Sequence, residues 1–218
     1  MNYSHITRRI VQYFLGLVVM ALGVVLTKRA DLGISPITSI PASVSNITPF
    51  TLGNTTIFLH IVCVIGQIIL LRRITLKSLL TMLVGIPFGY IIDGLMLLIN
   101  PGAMSIPLKI VILALGLAAS GLGVYLVVGT DLMLPAPDGL THTISQVYHK
   151  KLGNVKICSD GVYIILSVAI DLVFTGHISA VGIGTVMSML FVGRFVTWYG
   201  KWFPGLVMAP FWPEKKAS

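Results

Sequence analysis

Acidic residues are scarce in this chain of 218 residues: seven stand against fifteen lysines and arginines, and charged residues of both signs make up only 10% of it. So few charges cannot cover a water-exposed surface, which excludes an ordinary soluble domain. Cysteine is nearly absent too. Cys63 and Cys158 both sit in apolar segments, one in each half of the chain, so no disulfide framework exists and two free, buried thiols are expected. Enzyme signatures are missing: there is no GxSxG elbow, HExxH, Walker sequence, CxxC or paired-glutamate motif. His142 and His149 are weak as a metal pair. The expectation is a protein that is not an enzyme and has no cofactor or metal.

What is present is apolar. Hydrophobic residues make up 56% of the chain and its mean hydropathy is +0.94, which identifies an integral membrane protein with the lipid bilayer as its first partner. Six stretches approach the roughly 20 helical residues that a hydrocarbon core requires, at about 10–27, 55–71, 78–98, 108–128, 158–175 and 179–199. The first is read as a retained helix, since its apolar run is long and no small-x-small cleavage site follows. Trp198, Tyr199, Trp202 and Trp212 read as an interfacial aromatic belt.

The net charge of +8 marks topology rather than nucleic acid, for which no binding is expected. With the N-terminus in the cytoplasm, the inside collects Arg8, Arg9, Arg72, Arg73, Lys77, Lys150, Lys151, Lys156, Lys201, Lys215 and Lys216. Only Lys28, Arg29 and Lys109 are left outside, and Arg194 falls within a helix. Eleven against three places both termini in the cytoplasm.

The chain also repeats itself. At an offset of one hundred residues, 10–70 matches 110–170 at eighteen positions, including Leu22-Gly23-Val24 on Leu122-Gly123-Val124, Asp31-Leu32 on Asp131-Leu132, and Leu52-Gly53-Asn54 on Leu152-Gly153-Asn154. Val84-Gly85-Ile86 returns as Val181-Gly182-Ile183 once three residues are dropped. The expected organisation is one membrane domain, 1–218, made of a repeat at about 8–100, a second at about 105–203 and a short cytoplasmic tail at 204–218. Three crossings per copy force the second into the membrane upside down, so the expected fold is all-α, with six transmembrane helices in two inverted three-helix repeats. Asp31 and Asp131 should then lie on opposite sides of the midplane.

After the first span of each copy comes a stretch too apolar for a loop and too short to cross: about 35–47 and 135–149. Ser35-Pro36 reads as an N-cap with proline at the first helical position, and Pro135 or Pro137 can do the same in the second copy. A short helix, either re-entrant or interfacial, is expected in each. Breaks of this kind at membrane depth need protein or a wet cavity to satisfy their backbone, so Ser35 and Ser39 in one break and Asp138 and His142 in the other are candidate site residues.

Six of the seven acids lie in or beside apolar segments: Asp31, Asp93, Asp131, Asp138, Asp160 and Asp171. Asp138 stands four residues before His142, on one helix face, as a proton-coupling or amine-binding pair; the alternative is a helix cap beside a carbonyl-bonded imidazole. Asp160 aligns with His60 across the repeat, as packing glue or as cavity wall. Arg194, the one basic residue embedded in an apolar run, requires an acid such as Asp93 or an anionic substrate. Asp31 and Asp131 read as turn residues after a helix end, with Lys28 and Arg29 near Asp31.

Leu32-Gly33-Ile34-Ser35-Pro36, Leu134-Pro135-Ala136-Pro137-Asp138-Gly139-Leu140 and Val181-Gly182-Ile183-Gly184-Thr185-Val186-Met187-Ser188 with Val192-Gly193 together resemble the YczE/YyaS/YitT family of bacterial membrane proteins over nearly the whole chain. Members are described as permeases, so the resemblance implies an inner-membrane protein of transporter type and names no substrate. Three functions fit: a secondary transporter or exporter of a small organic solute with a central site between the inverted repeats, proton-coupled through Asp138, the substrate-binding membrane subunit of a multi-component importer, or a non-transporting membrane assembly or regulatory protein, each compatible with a homo-oligomer.

Overall fold

In a computed structural model the described residues run from 3 to 207, with side chains from residue 6 onward and that of Lys77 excepted. Trp212, Glu214, Lys215 and Lys216 lie outside them, so the belt and the basic tail are placed only in part. The described residues form eight helices and one 3-10 turn: α1 (Tyr3–Ala30), α2 (Pro36–Ile47), α3 (Leu52–Leu71), α4 (Leu76–Leu98), α5 (Ile106–Val128), α6 (Ala136–Val147), α7 (Leu152–Thr175) and α8 (Ile183–Trp202), then η1 (Pro204–Leu206). Five helices, α1, α3, α4, α5 and α7, are long and apolar enough to cross a membrane. The chain is a multi-pass membrane protein.

The expected sixth span, at 179–199, begins later. Residues 176–182 are not helical and α8 starts at Ile183. Its 20 residues carry Arg194, Lys201 and two tryptophans, which lower its apolar character below that of the other five. The match of Val84-Gly85-Ile86 to Val181-Gly182-Ile183 therefore joins unlike places, because the first triplet lies in mid-α4 and the second straddles the start of α8.

The hundred-residue offset reappears in the helix boundaries. α2 and α6 start at 36 and 136, α3 and α7 at 52 and 152. The turns after α1 and α5 share a conformation as well: Asp31 and Asp131 are both left-handed, with φ of 55° and 52°, a state that aspartate tolerates better than most residues. That accounts for the doubled aspartate.

The molecule is built around α1 and α5, which pack along their whole length. They run antiparallel, since Gln12 Nε2 donates to Leu126 O at one end (3.0 Å) and Lys109 Nζ lies 3.1 Å from Asp31 Oδ2 at the other. Asp31 and Asp131 thus lie at opposite ends of this pair. The close approach depends on glycine, because a Cβ at Gly23 would stand 2.5 Å from Ser120 N and 2.7 Å from Gly116 O. Small residues of this kind let apolar helices approach backbone to backbone, where dispersion contacts replace the hydrophobic drive that lipid does not supply. α4 packs on α1, and α8 on α5.

The short helices exchange partners between the repeats: α2 lies on α7 and α6 lies on α3. Ser39 Oγ donates to Tyr163 O (3.4 Å), and Ser43 Oγ lies 2.8 Å from Ser167 Oγ. Both sequences advance together, so α2 runs parallel to α7, along it rather than across its end. At 12 residues, roughly 18 Å, α2 is a half-helix that starts midway along α7 and returns to the C-terminal end, where Asn46 Nδ2 donates to Ser179 Oγ (2.8 Å). α2 thus lies alongside α7 rather than across its end.

Candidate functional site

Ser35 is the N-cap of α2, with Pro36 at the first helical position, as the sequence predicts. Its hydroxyl meets Thr38 Oγ1 at 2.8 Å. Ser39 is fully buried and its hydroxyl donates to Pro36 O at 2.7 Å, so both serines seal the break, and Ser39 also fastens it to α7 at Tyr163 O. Pro135 caps α6 and Ala136 opens it, placing Asp138 in the first turn, where the exposed N–H groups favour a carboxylate.

Asp138 does not pair with His142. Lys156, in the second turn of α7, places its ammonium 3.1 Å from Asp138 Oδ1 and 3.0 Å from Asp160 Oδ1. Two carboxylates therefore share one cation, and the cluster carries a formal charge of −1. The Asp160 side chain is 10% exposed, that of Asp138 26% and that of Lys156 36%. Lys156, assigned above to the cytoplasmic surface, is the functional residue that sequence reasoning missed. The signal was available: four residues separate it from Asp160, and α7 starts at Leu152 rather than at 158.

His60, the repeat counterpart of Asp160, is buried against Phe88 in a parallel stack with centroids 5.6 Å apart. Its Nδ1 has no hydrogen-bond partner. It lines a small void of about 10 Å³ with Tyr13, Thr81, Pro135 and Ala136, a space for at most one water.

His142 instead lines a polar cavity of about 390 Å³ near the end of α5, with Gln67, Arg73, Asp131, Thr143 and Gln146. At the opposite end of the α1/α5 pair, Lys28, Asp31, Asn46, His177 and Ser179 line a second polar cavity, of about 470 Å³. Residues 31 and 46 of one correspond to 131 and 146 of the other. The two vestibules share repeat-equivalent positions in part, and each is lined by one half-helix, α2 at Asn46 and α6 at His142 and Gln146.

Other expectations are corrected. Arg194 and Asp93 do not meet. Asp93 accepts from the Thr51 hydroxyl (2.6 Å) and from the Gly53 N–H (2.8 Å), holding the start of α3. Arg194 is exposed and lies over the Phe191 ring, 5.4 Å from its centroid, with no ion pair among the described residues. Asp31 pairs with Lys109 rather than with Lys28 or Arg29, which donate to Asn46 Oδ1 and Met96 O. Cys63 is buried as expected, but Cys158 is exposed. Asp171 is fully buried and its Oδ2 accepts from the N–H groups of Ser179 (2.6 Å) and Ala180 (3.0 Å).

Asp93→Asn is therefore expected to cost about 1.5–3 kcal/mol, the worth of a charge-assisted hydrogen bond. Combined with Arg194→Met, the losses should add within roughly 0.5 kcal/mol, as they do for residues without shared partners. Melting of the two single variants and the double variant in detergent checks this; a clear recovery in the double variant would show a pair after all.

A family model matches residues 7–201. The chain belongs to that family, a family of unknown function (DUF6198). No curated protein and no solved structure matches it. The match runs from the second turn of α1 to Lys201 near the end of α8, so the vestibules and the ion cluster all fall within the DUF6198 region.

Proposed function

We propose that this protein is a secondary transporter of a small organic solute in the bacterial inner membrane, with both termini cytoplasmic and α8 as a sixth crossing. One observation carries the reading: two polar vestibules at opposite ends of the α1/α5 pair that share repeat-equivalent residues such as Asp31 and Asp131, each lined by the half-helix of one break. A pair of inverted repeats alternates access by exposing one vestibule at a time to a site at their interface. The exchange of half-helices between repeats, α2 on α7 and α6 on α3, supports inversion. The ion cluster supplies a charge at the start of one break, and the resemblance to the YczE/YyaS/YitT permeases agrees with the class. The chain is read as non-enzymatic, working without a cofactor.

Accessibility tests this directly. Ser179→Cys reports the first vestibule and Gln146→Cys the second, each in a background where Cys63 and Cys158 are serine. An impermeant maleimide is expected to label Ser179→Cys in intact cells and Gln146→Cys only in inverted vesicles. Labelling of both from one side would overturn the inverted arrangement. A melting-temperature screen of the purified protein against metabolites and ions at two pH values then identifies the solute; no stabilisation by any of them would favour an assembly role.

A further inference from the structure

A cavity of about 700 Å³ lies between α3 and α7, and none of its lining comes from α1, α4, α5 or α8. Its volume falls inside the roughly 300–1,000 Å³ that holds drug-sized ligands. The walls are apolar, with Ile40 and Val44 from α2, Phe58 and Val62 from α3, and Leu166 and Ile170 from α7. Phe58, Val62 and Leu166 are also exposed on the outer surface of membrane-crossing helices. The cavity therefore opens sideways, where a bilayer presents hydrocarbon rather than water.

Its inner end is closed by Tyr163 and Cys63, whose side chains meet at 3.7 Å, and by Leu140. Asp160 lies one turn back along α7 from Tyr163, about 4.5 Å of helix rise on the same face. Asp138 lies two residues before Leu140 on α6 and is joined to Asp160 through the Lys156 ammonium, 3.1 Å and 3.0 Å away. A cluster of formal charge −1 thus lies about one helical turn behind Tyr163, beyond the closed apolar end of the chamber and outside its lining. In a membrane interior an uncompensated charge is expensive, so a site of this sign favours one added positive charge. His60, buried to 6% exposure with an unpartnered Nδ1, faces the same end of α6 through Pro135 and Ala136.

We propose that this cavity binds a lipophilic monocation, its apolar body between α3 and α7 and its charge drawn past Tyr163 toward Asp160 and Asp138. The proposal rests on the transport reading and names the class of solute. A cation that already partitions into the bilayer gains little from apolar walls alone, because lipid is equally apolar. The charge does the selecting, and an anion of the same shape is rejected by the same cluster.

Tetraphenylphosphonium and tetraphenylborate share size and shape and differ in sign, which makes them the probes. Equilibrium binding to the purified protein in nanodiscs is expected to be saturable for the cation and absent for the anion. Asp160→Asn should weaken cation binding by about tenfold or more. Leu166→Trp, which fills the chamber without touching the charges, should abolish it while the protein melts as the parent does. Equal binding of both ions would make the chamber a seat for lipid chains and overturn the proposal, as would the absence of cation binding. Binding of the cation without any transport would leave this site standing and sink the transporter reading. Transport of a different solute without cation binding would do the reverse.

Discussion

Lys156→Met is expected to destabilise the protein by roughly 2–3 kcal/mol, between the worth of exposed and fully buried ion pairs, because the cluster is partly accessible. The ammonium stands within 3.1 Å of both carboxylates, and without it Asp138 and Asp160 face each other in an apolar bundle with no counter-charge. Repulsion and desolvation then act together. Neutralising the acids as well, in Lys156→Met with Asp138→Asn and Asp160→Asn, should recover most of the loss, since an uncharged cluster has no charge to strand. Urea-dependent unfolding in mild detergent measures the series. If the triple variant is no more stable than Lys156→Met alone, the three residues do not act as one electrostatic unit.

Gly53→Ala should cost about 2–3 kcal/mol, while Gly153→Ala, its counterpart one hundred residues later, should be neutral or gain up to about 1 kcal/mol from helix propensity. A Cβ on Gly53 would stand 2.1 Å from Gly89 O, and backbone cannot move aside as a flexible side chain can. A Cβ on Gly153 meets nothing within 4 Å. The contrast follows from packing: α3 lies closely on α4, whereas α7 and α8 make no comparable contact. Thermal melting of the two variants side by side checks this. Equal losses would mean that α8 packs on α7 as α4 does on α3.

The cause of that asymmetry is the linker. Four residues join α3 to α4 and seven join α7 to α8. Arg72 caps α3 in the left-handed conformation, so the chain turns back at once. The longer linker is instead held in place by Asp171 and by two backbone bonds to the first break, Ile34 N–H to Ala180 O (3.2 Å) and Gly184 N–H to Leu32 O (2.7 Å). α8 therefore starts beside Gly33 and packs against α5 rather than α7.

Composition and spacing alone determined much of this protein: the membrane class, the hundred-residue repeat, the positions of both half-helices and the turn role of Asp31 and Asp131. These features follow from local chemistry, since apolar run length fixes a span, Ser-Pro starts a helix, and aspartate accepts a left-handed turn. Which charged groups meet was decided only by the tertiary structure. The Lys156 cluster, the Asp93 cap and the solitary Arg194 depend on how α6, α7, α3 and α4 dock, and docking brings together residues that no periodicity along the chain relates. The same holds for the partner exchange of the half-helices and for the sideways cavity. Each arises between elements distant in sequence, where backbone approach at small residues and the length of one linker set the distances.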